Sequence, residues 1–350
     1  MIYIVILLLG FLITLFINKK NDTKSILMNK FLILISFLIL LLPHALRYGI
    51  GTDYFYTYVP GFFATGRGVD FYDELGFSLL NKIIYFFTQD YKVLFFICSF
   101  IIFFFIYRGI VKNSKNIPLS ILLIFLTQCY FYSMNMMRQS IAIAIVFYAF
   151  KYIKNSQKLK YIICTLLASL IHTSALIMIP FIFIYNIEIG KIKKIIICIV
   201  LLLFGNIVGN ILYYIVNTYT NYGWYYNSAF ATESVPLTLI LTNLMLFLLN
   251  ILFYPKSKAD DEEYKLLSNI NFIGMCIIII SPTIPLVYRI VKYFTIYQIL
   301  FIPEMLSRIK KAKTRFAVKI IVLGFMFITM IYQIIILGGE GVYPYVSIFN

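Results

Sequence analysis

The residues best suited to chemistry stand at the ends of apolar stretches. Arg47-Tyr-Gly-Ile-Gly-Thr-Asp53-Tyr54, with Tyr58 four residues on, places an arginine, an aspartate, two glycines and several tyrosines at the mouth of one such stretch. Charge at a membrane boundary is costly unless it binds something, so this segment points to a polar, anionic and sugar-bearing substrate. Gly49 and Gly51 let the backbone turn tightly and approach a ligand. Asp53 reads either as a proton acceptor or as a loop partner for Arg47. Tyr54 and Tyr58 share a face if the segment is helical, where they could stack on sugar rings or belong to an interfacial aromatic belt. Tyr219, Tyr222, Trp224, Tyr225 and Tyr226 carry the same two readings.

Further candidates follow along the chain. Asp70 and Asp73 precede Glu74-Leu-Gly-Phe77, where a carboxylate could orient a sugar or simply open a helix against its dipole. Arginine accounts for seven of the 30 cations, and four of those seven (Arg47, Arg67, Arg138 and Arg289) lie outside the lysine-rich loops. A guanidinium binds phosphate through a planar fork and keeps its charge in a desolvated site, although a lone interfacial arginine can merely snorkel to headgroups. His172-Thr-Ser-Ala175 sits inside an apolar stretch, either as a functional histidine or as a satisfied core residue. His44, beside Pro43, reads as structural.

These residues need a membrane scaffold to hold them. The chain has 350 residues, 62% hydrophobic and only 13% charged, with a mean hydropathy of +0.91. Apolar runs of roughly 16 to 22 residues recur, which implies an all-α polytopic bundle. The alternation of polarity that a β-barrel requires is absent. Met1–Ile17 lacks a basic leader and a cleavage site, and reads as a retained first span. All but seven of the 30 cations fall in six short loops, near residues 19–30, 108–115, 151–160, 191–194, 256–265 and 308–319. By the positive-inside rule those loops are cytoplasmic, and both termini are extracytoplasmic.

Spans are expected near 2–17, 31–46, 93–108, 117–133, 139–154, 195–216, 236–254, 266–283, 290–306 and 316–337. Residues 77–89 are short and carry Lys82, so they read as re-entrant or interfacial. Residues 161–186 join two lysine-rich loops, and one crossing there would break parity. Two short, kinked helices meeting near His172 resolve this. The expectation is a single transmembrane domain over 1–350 with about twelve crossings, outer loops at 47–76 and 217–235, and no soluble domain.

The excess positive charge of +16 is therefore a topology signal and not a nucleic-acid footprint. Cys98, Cys129, Cys164, Cys198 and Cys276 are odd in number and lie in apolar segments, which suits packing. Two histidines without close cysteine partners do not make a zinc site. Asp260-Asp-Glu-Glu263 reads as a solvated loop, and Glu304 with Arg308 as an i, i+4 pair. No nucleotide-binding fingerprint is present, and no cofactor or metal is expected.

Taken in order, Arg47-x-Gly-x-Gly-Thr-Asp53-Tyr54 with Tyr58, Glu74-x-Gly-Phe77, Met137-Arg138-Gln139 and His172-x-Ser-Ala175 resemble the EpsG-like, or Wzy-like, exopolysaccharide polymerases of bacterial membranes. Tyr288-Arg289 with Tyr293 is more loosely similar. The resemblance implies a GT-C-like glycosyltransferase in the bacterial cytoplasmic membrane, acting on polyprenyl-diphosphate-linked oligosaccharide at the outer face to build capsule, O-antigen or other exopolysaccharide. A flippase and a chain-length regulator are the partners it implies. On this reading Arg47, Arg138 and Arg289 meet the departing diphosphate, Asp53 or His172 takes the hydroxyl proton, Glu74 orients a sugar, and Tyr54 and Tyr58 contact substrate. A lipid-linked oligosaccharide flippase or other transporter, a sugar-chain ligase and an acyltransferase remain as alternatives.

Overall fold

The computed structural model describes residues 2–18, 22–184, 187–219, 235–253, 262–281 and 287–349. The expected aromatic loop at 217–235 and the Asp260 cluster lie largely outside the described residues, although Glu262 and Glu263 open a helix. Among the described residues there is no strand, only an isolated bridge between Arg47 and Ser347. The chain packs as two compact helical units, Met1–Ile182 with Met330–Asn350, and Phe183–Thr329.

The first unit holds α1 (Ile2–Thr14), α2 (Thr23–Ala45), α3 (Val59–Gly66), α4 (Leu75–Phe87), α5 (Lys92–Asn113), α6 (Ile117–Leu126), α7 (Cys129–Asn135), α8 (Met137–Lys154) and α9 (Lys158–Ser169). Asp22 caps α2 by accepting from the Ser25 amide, and Asn116 caps α6 through the Leu119 amide, so both helices start where the sequence supplies a capping oxygen. The central layer is α5 against α8, with α2 on α5 and α9 on α8.

Among the described residues, five helices are long and apolar enough to cross a membrane by length and composition, six if the bent pair α6–α7 counts as one span. The protein is a polytopic helical membrane protein. The expectation of twelve crossings leans on shorter apolar helices, α1 among them, whereas α4 is the stretch expected to be re-entrant or interfacial. At 1.5 Å per residue a 13-residue helix reaches only about 20 Å, short of the hydrocarbon core. The expected span at 117–133 is instead broken by 50°, where Gln128 adopts a left-handed backbone (φ 62°). The break at His172 is present: α9 ends at Ser169 and a 3-10 turn begins at Thr173.

The second unit holds the remainder, α10 (Phe181–Ile184, at the division), α11 (Lys191–Tyr219), α12 (Leu237–Leu252), α13 (Glu262–Ile280), α14 (Val287–Thr295), α15 (Gln298–Ser307) and most of α16 (Ala312–Ile331). Here α13 packs on α11, α12, α14 and α15. The expected single span at 290–306 is interrupted between α14 and α15. Lys194, read as a loop cation, is instead wholly buried on α11 and donates to Ser268, whose hydroxyl donates to Asn250 Oδ1 at 2.9 Å. Glu304 and Arg308 form the expected pair at 2.8 Å. The five cysteines are free thiols.

The α5–α8 seam depends on Gly109, because a Cβ there would stand 2.6 Å from Phe147 Cε1. Small residues let helices approach closely in a membrane bundle. Gly109→Leu is expected to lower stability by about 2 kcal/mol, read as a drop in the melting temperature of the detergent-solubilised protein. Gly109→Ala, which a rotation of the Phe147 ring can absorb, should cost clearly less. An unchanged melting temperature for the leucine variant would contradict this seam.

Candidate functional site

Three of the expected residues meet at the first turn of α8. Arg138 Nη1 donates to Glu74 Oε2 at 2.7 Å, and His172 Nδ1 lies 3.0 Å from Glu74 Oε1. The Arg138 contact is a charge-assisted hydrogen bond, whereas the histidine meets the distance of an ion pair without the alignment of a good hydrogen bond. Glu74 is 7% exposed, while Arg138 and His172 keep 27% and 24% of their side-chain surface open. The carboxylate is thus the buried centre, and the guanidinium and the imidazole are the groups a ligand can reach.

Local structure explains the convergence. Glu74 is the N-cap of α4, but its side chain makes no capping bond and turns to Arg138 and His172 instead. The carboxylate thus does more than open a helix. Gly76 follows it, and its amide donates to the Leu170 carbonyl at 2.8 Å. A Cβ at Gly76 would stand 2.7 Å from that oxygen, so only glycine lets α4 lie directly on the break before His172. Arg138 lies against a pair of touching rings, with its guanidinium carbon 5.0 Å from the Tyr72 ring centroid and 5.9 Å from that of Phe77. Such cation–π contacts hold the fork without neutralising it.

Burial pushes the Glu74 carboxyl up, but the His172 contact and the Arg138 charge outweigh it and hold the group below its ordinary value. The sign follows directly. A carboxylate with a depressed folded-state pKa contributes stability that is fully present above its ordinary pKa and lost as pH falls through the lowered value.

Tyr58 is buried, and its hydroxyl accepts from the Met137 amide at 2.7 Å and the Arg138 amide at 3.4 Å. It thereby satisfies free amides of the first α8 turn and fixes where Arg138 begins. Burial pushes its phenol up to about 12, with Arg138 opposing and Asp53 adding to the shift, so it stays a neutral hydroxyl. Tyr54 is also buried, stacked on Phe95 at a centroid distance of 4.0 Å. The expected stacking of these two rings on sugar therefore does not fit: both faces are committed to packing.

Arg47 likewise departs from its expected role. It is fully buried. Its Nη1 donates to the His44 carbonyl, its Nη2 to the Met134 carbonyl at 3.0 Å, and its guanidinium sits 5.0 Å from the Phe95 centroid. As placed, it braces α2 against α7 and presents no surface to a diphosphate. His44 is buried beside it, its ring nitrogens 2.8 and 2.9 Å from the Ser99 and Ser133 hydroxyls, in keeping with a structural role.

Asp53 is half-buried, and its amide donates to Asn135 Oδ1 at 3.0 Å. Gly51 makes that approach possible: it adopts φ 92°, and a Cβ would stand 3.1 Å from the Met134 carbonyl. The last residues of the chain close this turn, which no sequence signal indicated. Gly341 accepts from the Gly51 amide, Val346 from the Tyr48 amide, and Glu340 from Asn135 Nδ2 at 3.1 Å. Arg289 belongs to the second unit, where its Nε lies 3.4 Å from the Tyr288 hydroxyl. Arg67 stands 5.9 Å from the Phe63 ring and is not part of the Glu74 cluster. Among the described residues, no three His, Cys, Asp or Glu side chains group to hold a metal.

Two outcomes separate brace from site. Arg47→Ala should lower stability by about 3 kcal/mol, because two buried carbonyls lose a charged donor, and thermal melting in detergent reads it. Arg138→Ala takes the charged donor from the buried Glu74 carboxylate and should cost about 2 kcal/mol, a loss that adding Glu74→Gln should largely restore, as it cannot for Arg47→Ala. Acid melting offers the second check: wild type should lose stability relative to Glu74→Gln as pH falls through the depressed Glu74 value, and parallel curves would refute the pairing.

No curated protein and no solved structure matches this chain. The EpsG family model matches residues 30–347, a stretch that contains the whole Arg138–Glu74–His172 cluster and the Asp53 turn, and the chain belongs to the EpsG family of Wzy-like polymerases.

Proposed function

We propose that this protein polymerises polyprenyl-diphosphate-linked oligosaccharide repeat units at the outer face of the bacterial cytoplasmic membrane. Family membership supports a polysaccharide polymerase-like role. The observation that carries the finer reading is the Glu74-centred cluster, which pairs an anion-binding fork with a histidine through one buried carboxylate.

The reaction needs a hydroxyl oxygen of the acceptor sugar to attack the anomeric carbon of the donor. The bond from that carbon to the lipid diphosphate breaks, and the diphosphate leaves with the electron pair. Arg138 suits the leaving group, since a guanidinium has five N–H donors, more than its Glu74 contact uses. With the ring proton of His172 on Nδ1, the nitrogen 3.0 Å from Glu74, Nε2 carries the lone pair and takes the hydroxyl proton. Glu74 stabilises the imidazolium so formed. Asp53 lines the neighbouring turn, where it orients acceptor hydroxyls. No metal takes part in this scheme.

Reconstitution in vesicles with a purified polyprenyl-diphosphate repeat unit tests the proposal. Dimers and longer chains should form, with one polyprenyl diphosphate released per new glycosidic bond. Arg138→Ala should lower the rate by about 10²- to 10³-fold, and Arg138→Lys should recover only part of it. Movement of the intact lipid-linked unit across the bilayer without new glycosidic bonds would sink the polymerase reading in favour of a flippase.

A further inference from the structure

At the far end of α8 from Arg138 the first unit holds a second polar feature. A cavity of about 320 Å³ is lined by Lys112, Lys151, Tyr152, Lys154, Asn155 and Gln157, among others. Lys151 is 13 residues beyond Arg138, so helical rise alone separates them by about 20 Å. The cavity therefore belongs to a different place on the protein from the Glu74 cluster.

Its charge balance is one-sided. The chain has no Asp or Glu between Asp90 and Glu188, a stretch that includes all of α5 to α9. The lysines do serve the C-terminal ends of α5 and α8, where cations offset the helix dipole. Each helix end supplies only about half a negative charge, whereas Lys112, Lys151 and Lys154 bring three positive ones to the cavity. A net positive field is left over.

The cavity is also built and not only charged. Lys151 donates to the Tyr148 hydroxyl and lies 3.7 and 4.5 Å from the Tyr148 and Tyr152 ring centroids. Those contacts hold the ammonium in place without an acidic partner. Lys160 stands 5.9 Å from the other ring of the pair, that of Tyr152. Asn155 and Gln157 supply amides suited to hydroxyl or phosphate oxygens. Finally, α5 is one of the helices long and apolar enough to span a membrane, and the cavity opens where it ends. A ligand here would sit at headgroup level.

We propose that this cavity binds the phosphate of an anionic lipid headgroup, such as a phosphatidylglycerol. The headgroup phosphodiester pairs with Lys112, Lys151 and Lys154, and its glycerol hydroxyls meet Asn155 and Gln157. The site lies apart from the Glu74 cluster, and its occupancy does not depend on the polymerase reading.

Native mass spectrometry of the full-length protein in detergent, titrated with phosphatidylglycerol or phosphatidylcholine, tests this. Phosphatidylglycerol should bind at least about tenfold more tightly, given roughly fivefold per lysine near the surface. The variant Lys112→Gln/Lys151→Gln/Lys154→Gln should lose that preference, and the three arginine replacements should keep it. Lys310→Gln/Lys311→Gln/Lys313→Gln removes equal charge elsewhere and should change affinity less than about twofold. Competition by soluble glycerol phosphate would show that the phosphate alone is recognised, whereas indifference to it would tie recognition to the membrane-borne form. Equal binding of both lipids, or equal loss in the two glutamine triples, would overturn the proposal.

Discussion

One buried carboxylate organises the candidate site. Glu74 joins a guanidinium at 2.7 Å to an imidazole at 3.0 Å, one from the first turn of α8 and the other from the break after α9. A carboxylate this buried is tolerable only when a charge pairs it, as Arg138 does. Everything that positions it follows from that requirement: the glycine that lets α4 touch the break before His172, the tyrosine hydroxyl that sets the first turn of α8, and the aromatic rings that hold the Arg138 fork. The cluster is stable because the charges satisfy one another, and it is available because only the carboxylate is hidden.

A second, quieter constraint lies beside it. Arg47 and His44 form a buried polar knot at the end of α2, tied to carbonyls and hydroxyls of α5 and α7. The turn that follows is closed by the last residues of the chain, which accept from the Tyr48 and Gly51 amides. This knot fixes the turn bearing Asp53, which leads into the Tyr58 that sets the first turn of α8. The residues that first drew notice in the sequence thus divide into a brace, Arg47 with Tyr54 and Tyr58, and the groups that the brace positions.

How far the sequence could be read depended on the kind of physics involved. Composition and lysine placement were enough for a helical membrane protein, and charge parity alone required a break near His172. Glu74, Arg138 and His172 stood out because polar groups beside apolar runs demand a reason. What could not be read was burial. An arginine at a span mouth looks the same in sequence whether it faces a ligand or two carbonyls, and Arg47 does the latter. Tyr54 and Tyr58 were misread for the same cause. The bend at Gln128 has no proline or glycine to announce it, and Lys194 looked like any loop lysine until α11 began three residues before it. The docking of residues 338–348 on the Arg47 turn joins the two ends of the chain, a contact no local pattern encodes.

The central claim is that Glu74 couples Arg138 and His172 into one catalytic unit. A double-mutant cycle on polymerisation rate, pairing Glu74→Gln with His172→Ala, tests that coupling most directly. If the three act as a unit, the double variant should be about as slow as the worse single variant. Losses that multiply, as for independent residues, would contradict the account.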